Sequence, residues 1–265
     1  MSYQPVVIGT GIAGWRFLQA TMERQEASFA ASTTIRNDAD YFARTIGKIH
    51  SAEALVSDRR LLAVALGAFG LGDDIDNRFF LRRILEEGTS ARDALANRLA
   101  DSRYADFSRA FGFGPDETPQ TGLPDFSSSI ISRFQSQSFE QAVGTQNEAM
   151  RVALFTNREL SDPTRMSRSD DAAWFKMMAA PPLRQFFETA LGFPSAISQL
   201  DLDKQLEMFR AKARQTFGTD RFEDLKSPVM REKMTNLFLA RDQALSASKI
   251  NSPASVALTL LGGLT

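Results

Sequence analysis

Cysteine is absent from this 265-residue sequence, and histidine occurs once, at His50. Without cysteine the chain has no disulfide, no thiolate metal site and no cysteine nucleophile. A single histidine also leaves too few ligands for a typical zinc site. His50 lies at a junction between two helix-patterned stretches, so we expect a surface or capping role for it rather than membership of a Ser-His-Asp triad.

Long runs of one residue character are also missing. Acidic and basic residues are interspersed, the net charge is −1, and no block of five like charges occurs. Because nucleic-acid-binding domains usually carry a basic stripe, we predict no nucleic-acid partner. No apolar run reaches the ~18 residues that a membrane helix needs, and the N-terminus lacks a secretory-signal pattern. We therefore also predict no membrane span.

The residues that are present are those of an ordinary globular protein. Hydrophobic residues make up 43% of the chain and charged residues 24%. There are 21 Phe against 3 Tyr and 2 Trp, an excess that mostly indicates core packing. Apolar residues recur at helical spacing along most of the chain, and no run of alternating strand-like residues is visible. The sequence therefore predicts an all-α, multihelical protein.

The predicted helices fall into two helical lobes with a weak internal duplication. Residues 114–126 contain three Pro and two Gly, which is typical of a linker. The predicted organisation is an N-terminal lobe at 1–113, this linker, a C-terminal lobe at 127–252 and an apolar tail at 253–265. The duplication depends chiefly on "FFLRRILEEGTSARDAL" and "MFRAKARQTFGTDRFEDL", which have apolar residues and a glycine in similar places.

Glycine marks several predicted helix ends. "AFGL", "AFGF" and "ALGF" share a pattern in which an apolar residue precedes and follows a glycine. Glycine readily adopts the left-handed conformation that ends a helix, and the next apolar residue then folds back onto the last turn. We expect Gly70, Gly112 and Gly192 to be helix C-caps. Ser51 is predicted to begin one helix and the pair Ser57-Asp58 another.

The N-terminal stretch "VVIGTGIAGW" matches the G-x-G-x-x-G spacing of a dinucleotide-binding turn through Gly9, Gly11 and Gly14. That fold also needs a second buried strand ending in an acidic residue, and residues 23–50 are polar and helix-patterned. We therefore predict no nucleotide cofactor and interpret the glycines as a lead-in to the helix that Trp15 begins. "GDDIDN" at 72–77 resembles a calcium loop, but Leu85 stands where the loop needs Glu, so we predict no metal site.

Three segments are candidates for binding other proteins. In the N-terminal segment 5–35, Trp15 and Phe17 either anchor the first helix or contact a partner. The tail at 253–265 carries Val256, Leu258, Leu260 and Leu261, which either cover a groove of their own domain or dock onto a partner or a second copy. Segment 127–160 is predicted either to pack across the lobes or to await a partner helix.

Several strings resemble a known family. "AGWRFLQATMERQ", "DADYFARTIGKIHSAEALVSDRRLLAVALGAFGL" and "ALANRLADSRYADFSRAFGFG" are similar to an alphaproteobacterial domain-of-unknown-function family whose genes tend to lie among flagellar genes. The likeness is best over residues 10–115 and extends through "FEQAVGTQNEAMRVAL". It implies a helical protein associated with flagellar assembly or function, located in the cytoplasm or at the flagellum, and it carries over no catalytic residue.

Taken together, these observations predict a non-enzymatic structural or protein-interaction component associated with the bacterial flagellum. Its expected partners are other proteins, either flagellar components or a second copy of the chain. The alternative is an enzyme whose carboxylates meet in an acidic cleft between the lobes. The spacing of acidic residues along the sequence leaves that alternative open.

Overall fold

The structure is a computed structural model that describes residues 3–162 and 169–250. The described residues form fourteen α-helices and contain no strand, which confirms the all-α prediction. The helices are α1 (Gly11–Ala30), α2 (Thr33–Thr45), α3 (Ala52–Ser57), α4 (Arg59–Gly67), α5 (Arg78–Glu87), α6 (Leu95–Arg98), α7 (Arg103–Phe111), α8 (Phe126–Gly144), α9 (Glu148–Ser161), α10 (Asp170–Ala179), α11 (Pro181–Leu191), α12 (Leu202–Phe217), α13 (Phe222–Leu225) and α14 (Pro228–Ile250).

The chain divides into two compact units whose boundary differs from the predicted one. The described residues of unit 1 are 3–6 and 20–146, and those of unit 2 are 7–19, 147–162 and 169–250. The predicted linker at 114–126 is non-helical up to α8, but it joins two helices of the same unit. The boundary falls after α8 because Phe126, Ile130 and Phe134 of that helix are buried in the core of unit 1.

The core of unit 1 is built from α2, α4 and α8, which pack against one another. Phe42, Leu66 and Phe107 are among its fully buried side chains. Gly67 ends α4 beneath the ring of Phe134, where an added Cβ would lie 2.8 Å from a ring carbon. The missing side chain therefore lets α8 lie close against α4.

The core of unit 2 is built from α9, α11 and α14, with an aromatic cluster at its centre. Trp174 meets Phe222 edge to face, with ring centroids 5.1 Å apart. Phe186 stacks on Phe238 at 4.7 Å. The indole nitrogen of Trp174 donates a hydrogen bond to the Asp220 carbonyl oxygen at 3.1 Å, so the one polar atom of this large side chain is satisfied.

Two of the three predicted C-cap glycines lie at helix ends. The predicted C-cap glycines all have positive φ angles, of 69° at Gly70, 64° at Gly112 and 72° at Gly192. After Gly192, the amide of Phe193 donates to the Glu188 carbonyl oxygen at 2.8 Å, as in a Schellman ending. The C-cap prediction is confirmed at Gly112 and Gly192. It is wrong by two residues at Gly70, because α4 ends at Gly67 with Ala68 as its C-cap, and Gly70 belongs to the turn that follows.

The two predicted N-caps are also confirmed. The Ser51 hydroxyl accepts a hydrogen bond from the Ala54 amide at 3.2 Å. One carboxylate oxygen of Asp58 accepts from the amides of Arg60 and Leu61, each at 3.0 Å. These side chains satisfy amides that the first turn of a helix leaves without an internal partner.

The two stretches that suggest a duplication have similar local structure. In each, a long helix ends before a glycine of positive φ and a four-residue helix comes next: α5, Gly88 and α6 in one, α12, Gly218 and α13 in the other. The glycines differ in ψ, which is −153° at Gly88 and 2° at Gly218, so the two connections turn differently. A duplication of the whole lobe stays a prediction.

Segment 127–160 forms two helices, α8 and α9, rather than one. Residues 145–147 separate them, and Asn147 caps α9 by accepting from the Met150 amide at 3.1 Å. Six of the seven apolar residues that suggested a binding helix are buried, namely Ile130, Phe134, Phe139, Val143, Met150 and Leu154. The seventh, Ile131, is partly buried against the core of unit 1. Their side chains fill the protein's own cores, so this segment offers no apolar face to a partner helix.

Candidate functional site

The three N-terminal glycines form a tight turn onto the first helix. Gly9 and Gly11 have positive φ angles of 81° and 59°. Gly14 lies against the same turn, where an added Cβ would be 2.7 Å from the Gly9 carbonyl oxygen. Residues 3–10 include no strand, and the described residues lack the parallel sheet that a dinucleotide-binding turn joins. Close backbone packing accounts for the glycine spacing.

The N-terminal candidates Trp15 and Phe17 differ in accessibility. The side chain of Trp15 is buried, with 3% of its surface exposed. Phe17 is half-buried. Trp15 therefore anchors α1, as one of the two sequence-based alternatives expected, and it is not accessible to a partner while this packing is intact.

Two glutamines hold the start of the described chain in unit 1. The Val6 amide donates to Gln25 Oε1 at 2.6 Å, and Gln25 Nε2 donates to the Val6 carbonyl oxygen at 3.0 Å. Gln146 Nε2 donates to the Pro5 carbonyl oxygen at 2.5 Å. Sequence reasoning missed these contacts. The available signal is that Gln25 follows Leu18 and Met22 at helical spacing, on a face otherwise occupied by apolar residues.

A pocket of about 450 Å³ lies in unit 2 near the C-terminal end of α14. We name it the α14 groove. Its walls are the start of α1 at Thr10 and Gly11, the start of α9 at residues 147–149, Gln185 of α11, and α14 residues between Leu239 and Ala247. The structure thus brings the glycine-rich turn and the helix that leads to the tail to one place.

The α14 groove combines an apolar floor with a polar rim. Leu239 lines it and is 1% exposed, while Ala149 and Ala247 add small apolar surfaces. Glu148 on the rim accepts a hydrogen bond from Arg151 Nε at 2.7 Å, so its charge is balanced within α9. Asp242, the other carboxylate of the groove, also interacts with groups of the protein. The groove therefore suits an occupant with apolar side chains and no charge of its own.

The last turns of α14 stand apart from the rest of the helix. Phe238 and Leu239 are buried, whereas all side chains from Gln243 to Ser248 are exposed, including Leu245 at 53%. The tail comes directly after this exposed end. The predicted site residues Val256, Leu258, Leu260 and Leu261 lie outside the described residues.

Two carboxylates approach each other beside a second pocket, of about 280 Å³, which lies between α1 and α8 of unit 1. Glu26 lines this pocket together with small residues that include Ala27 and Ser132. Burial raises the pKa of Glu26, and the nearby charge of Glu140 raises that pKa further. Glu140 is buried, and its carboxylate engages other groups of the protein. Both residues lie inside unit 1, whereas the acidic-cleft alternative expects its carboxylates between the lobes.

The acidic stretch at 72–77 is taken up by structural contacts. Asp74 accepts a hydrogen bond from the Tyr104 hydroxyl at 2.6 Å, and Asp76 pairs with Arg59 at 2.7 Å. Burial, with the hydrogen bond to Asp74, raises the pKa of Tyr104 to about 12. His50 is exposed between two helical segments, as predicted. Within residues 3–162 and 169–250, no three His, Asp or Glu side chains are grouped so that they could hold a metal ion.

Comparison with known proteins finds similarity of sequence and of fold. A family model described as "Protein of unknown function (DUF1217)" matches residues 68–230. The crystal structure of a protein from Agrobacterium tumefaciens is similar over 90% of this chain and 96% of its own, with 25% identity and a TM-score of 0.72. No curated protein matches the sequence. None of the helices in the described ranges combines the length and apolarity that crossing a membrane requires.

Proposed function

We propose that this chain, which belongs to the DUF1217 family of proteins of unknown function, is a non-enzymatic protein-interaction component of the bacterial flagellar system. The flagellar setting rests on the resemblance of residues 10–115 to an alphaproteobacterial family encoded among flagellar genes. The solved relative comes from Agrobacterium, which belongs to the same class of bacteria as that family.

The observation that carries the interaction role is the exposed end of α14 together with the apolar tail. The side chains from Gln243 to Ser248 are all exposed, although the helix continues to Ile250. Residues 253–265 then contain several large apolar side chains and no charge. A short apolar segment next to an exposed helix end is typical of a peptide that docks into a groove of another protein.

The groups that could carry chemistry near this segment are engaged in local structure. Asn147 caps α9, and Glu148 is paired with Arg151. Gly11 and Gly14 serve close packing of the N-terminal turn. These contacts favour an adaptor role over catalysis at the α14 groove.

The test is capture of partners from motile cells of the source bacterium, with full-length protein and a variant that lacks residues 253–265. We expect the full chain to retain a flagellar component and the shortened chain to retain at least about tenfold less, because the apolar contacts are lost. Thr259→Ser, inside the tail, is the matched control and should capture normally.

A strain without the gene completes the test, and it should swim poorly. Normal swimming, together with equal capture by the full and shortened proteins, contradicts the proposal. Circular dichroism of the shortened protein should match that of the full chain over the helical bands, which separates loss of binding from loss of fold.

The second candidate function is an enzyme that uses the carboxylates of Glu26 and Glu140. The observation in its favour is that burial and a neighbouring charge raise the pKa of Glu26 beside a pocket, as in many general acids. A turnover found with the wild-type protein and absent from both Glu26→Gln and Glu140→Gln would favour this function. Retention of that turnover in both variants would exclude these carboxylates.

A further inference from the structure

The α14 groove lies within reach of the segment that comes after α14. Ala247 lines the groove, and α14 ends three residues later at Ile250. Asn251, Ser252 and Pro253 come next, and these residue types favour turns. A reversal of the chain at this point would bring the tail, residues 253–265, back along the last turns of α14.

The chemistry of the tail complements that of the groove. From Ile250 to Thr265 the sequence contains no charged residue, while Val256, Leu258, Leu260, Leu261 and Leu264 are large and apolar. The groove has a buried leucine floor and a volume of about 450 Å³, inside the range of about 300–1,000 Å³ that is usual for ligand pockets. Removing several of these side chains from water favours the docked tail.

The length of the connection favours the tail of the same chain over that of a second copy. Only a few residues separate Ala247 from the first large apolar residue of the tail, so closing the loop costs little entropy. A connection of this length gives an effective concentration on the order of millimolar, well above the concentration of free protein in a cell. A second copy would have to bind without that advantage.

We infer that the α14 groove holds residues 253–265 of its own chain and releases them when a partner binds the tail. The inference rests on the proposed function for the release step, but the docked state is a property of this chain alone. The groove then shelters the apolar tail from water and from self-association. It also makes partner binding a competition with the groove.

The absence of cysteine allows a direct test on the full-length chain. Ala149→Cys in the groove and Leu260→Cys in the tail together provide the only two thiols, which oxidised glutathione can join. We expect a disulfide within one chain, seen as a monomer on a non-reducing gel and located by mass spectrometry. In the control, Val229→Cys replaces the groove cysteine at an exposed site of α14, about 27 Å along that helix from Ala247 of the groove.

The outcome is decided by the yield of intramolecular disulfide from the groove–tail cysteine pair relative to the yield from the control pair. At least about fivefold more intramolecular disulfide with Ala149→Cys than with Val229→Cys supports the inference. Equal yields overturn it. Disulfides that form only between chains show that a second copy fills the groove, and they overturn it as well.

A second measurement avoids cysteine and guards against a disturbed fold. Chymotrypsin cleaves after leucine, so its rate at Leu258 to Leu264 reports how accessible the tail is. We expect Ala149→Trp, which fills the groove, to speed this cleavage several-fold, whereas Val229→Trp leaves it unchanged. An unchanged rate in a folded Ala149→Trp protein contradicts the inference.

Failure of this inference and failure of the proposed function give different results. If the disulfide forms within the chain but no flagellar component is captured, the docked tail stands and the flagellar role fails. If the tail captures a partner but neither cysteine pair is preferred, the role stands and the docking fails. A disulfide that locks the tail should reduce partner capture at least about tenfold, and addition of a reductant should restore it.

Discussion

Single glycines mark where several helices end. A comparison of two of them distinguishes the energetic cost of backbone strain from that of steric overlap. Gly192 and Gly218 both follow a helix of unit 2 with positive φ, of 72° and 86°. An added Cβ at Gly192 would lie 2.9 Å from Arg241 Nη1, which donates to the Ala190 carbonyl oxygen at 2.6 Å. An added Cβ at Gly218 meets nothing within 4 Å.

We expect Gly218→Ala to lower the free energy of unfolding by about 1–2 kcal/mol, from backbone strain alone. Gly192→Ala should cost about 1 kcal/mol more, because moving the Arg241 guanidinium group breaks its hydrogen bond to the Ala190 carbonyl oxygen. Urea denaturation followed by circular dichroism measures both changes. Gly122→Ala, with open space and no positive φ, is the control and should change stability by less than about 0.5 kcal/mol. Equal costs at Gly192 and Gly218 would remove Arg241 from the explanation.

The carboxyl group of Glu26 lowers the free energy of unfolding as the pH rises, whereas most carboxyl groups in proteins have the opposite effect. Its pKa is raised in the folded state, first by burial and then by Glu140. Above the raised pKa the charged form penalises folding, and this penalty disappears as the pH falls through that value. A carboxylate that stabilises the folded state behaves in the opposite way.

We therefore expect Glu26→Gln to stabilise the protein at pH 7, by less than about 1 kcal/mol after screening by solvent. The gain should shrink as the pH falls toward the ordinary value for glutamate. Denaturation midpoints of both proteins between pH 7 and pH 4.5 test this expectation. Glu23→Gln, on the rim of the same pocket, controls for a general change in charge. A variant less stable than the wild type at pH 7 would refute it.

At the scale of elements, one carboxylate joins three helices of unit 2. Asp170, in the first turn of α10, pairs with Arg210 of α12 and accepts from the Phe222 amide, at the start of α13, at 2.6 Å. Asp171 contacts the same guanidinium group at 2.9 Å but is more exposed. Arg210 Nε is buried and has no hydrogen-bond partner, so the group depends on these two carboxylates.

We expect Asp170→Ala to cost about 2–3 kcal/mol in the free energy of unfolding, since it leaves the Phe222 amide without its acceptor and the Arg210 guanidinium group with Asp171 as its remaining carboxylate partner. Asp171→Ala should cost less than about 1 kcal/mol, the usual value of an exposed ion pair. Urea denaturation of the two variants compares them directly. Similar costs would mean that α13 does not depend on the Asp170 carboxylate.

At the scale of the whole molecule, the two units are not continuous stretches of the sequence. Residues 7–19 belong to unit 2, although residues 20–146 of unit 1 lie between them and the rest of that unit. Within unit 2, an added Cβ on Gly14 would lie 3.0 Å from Met150 Cε, which shows how closely the N-terminal turn meets α9. A fragment that starts at residue 147 therefore lacks part of its own core.

We expect the fragment 147–265 to unfold at a lower temperature than unit 2 does in the full chain. A peptide of residues 7–19 should raise its melting temperature, by an amount that grows with the logarithm of peptide concentration above the Kd, because the peptide binds only the folded form. A Gly14→Val peptide is the matched control and should have no effect. If both peptides act alike, or neither acts, residues 7–19 are not part of the fold of unit 2.

The helical class and many helix ends of this protein could be assigned from the sequence alone. Helical periodicity and the φ freedom of glycine are properties of neighbouring residues, so Gly112 and Asp58 could be placed correctly without a fold. Three-dimensional packing was needed to show that α8 belongs to unit 1, that Gln25 holds Val6, and that the turn at Gly11 meets α14 at a groove. Those outcomes depend on contacts between residues far apart in the chain. Many pairings of similar apolar helix faces compete there, and the arrangement that forms is decided by the total apolar surface that the whole fold buries.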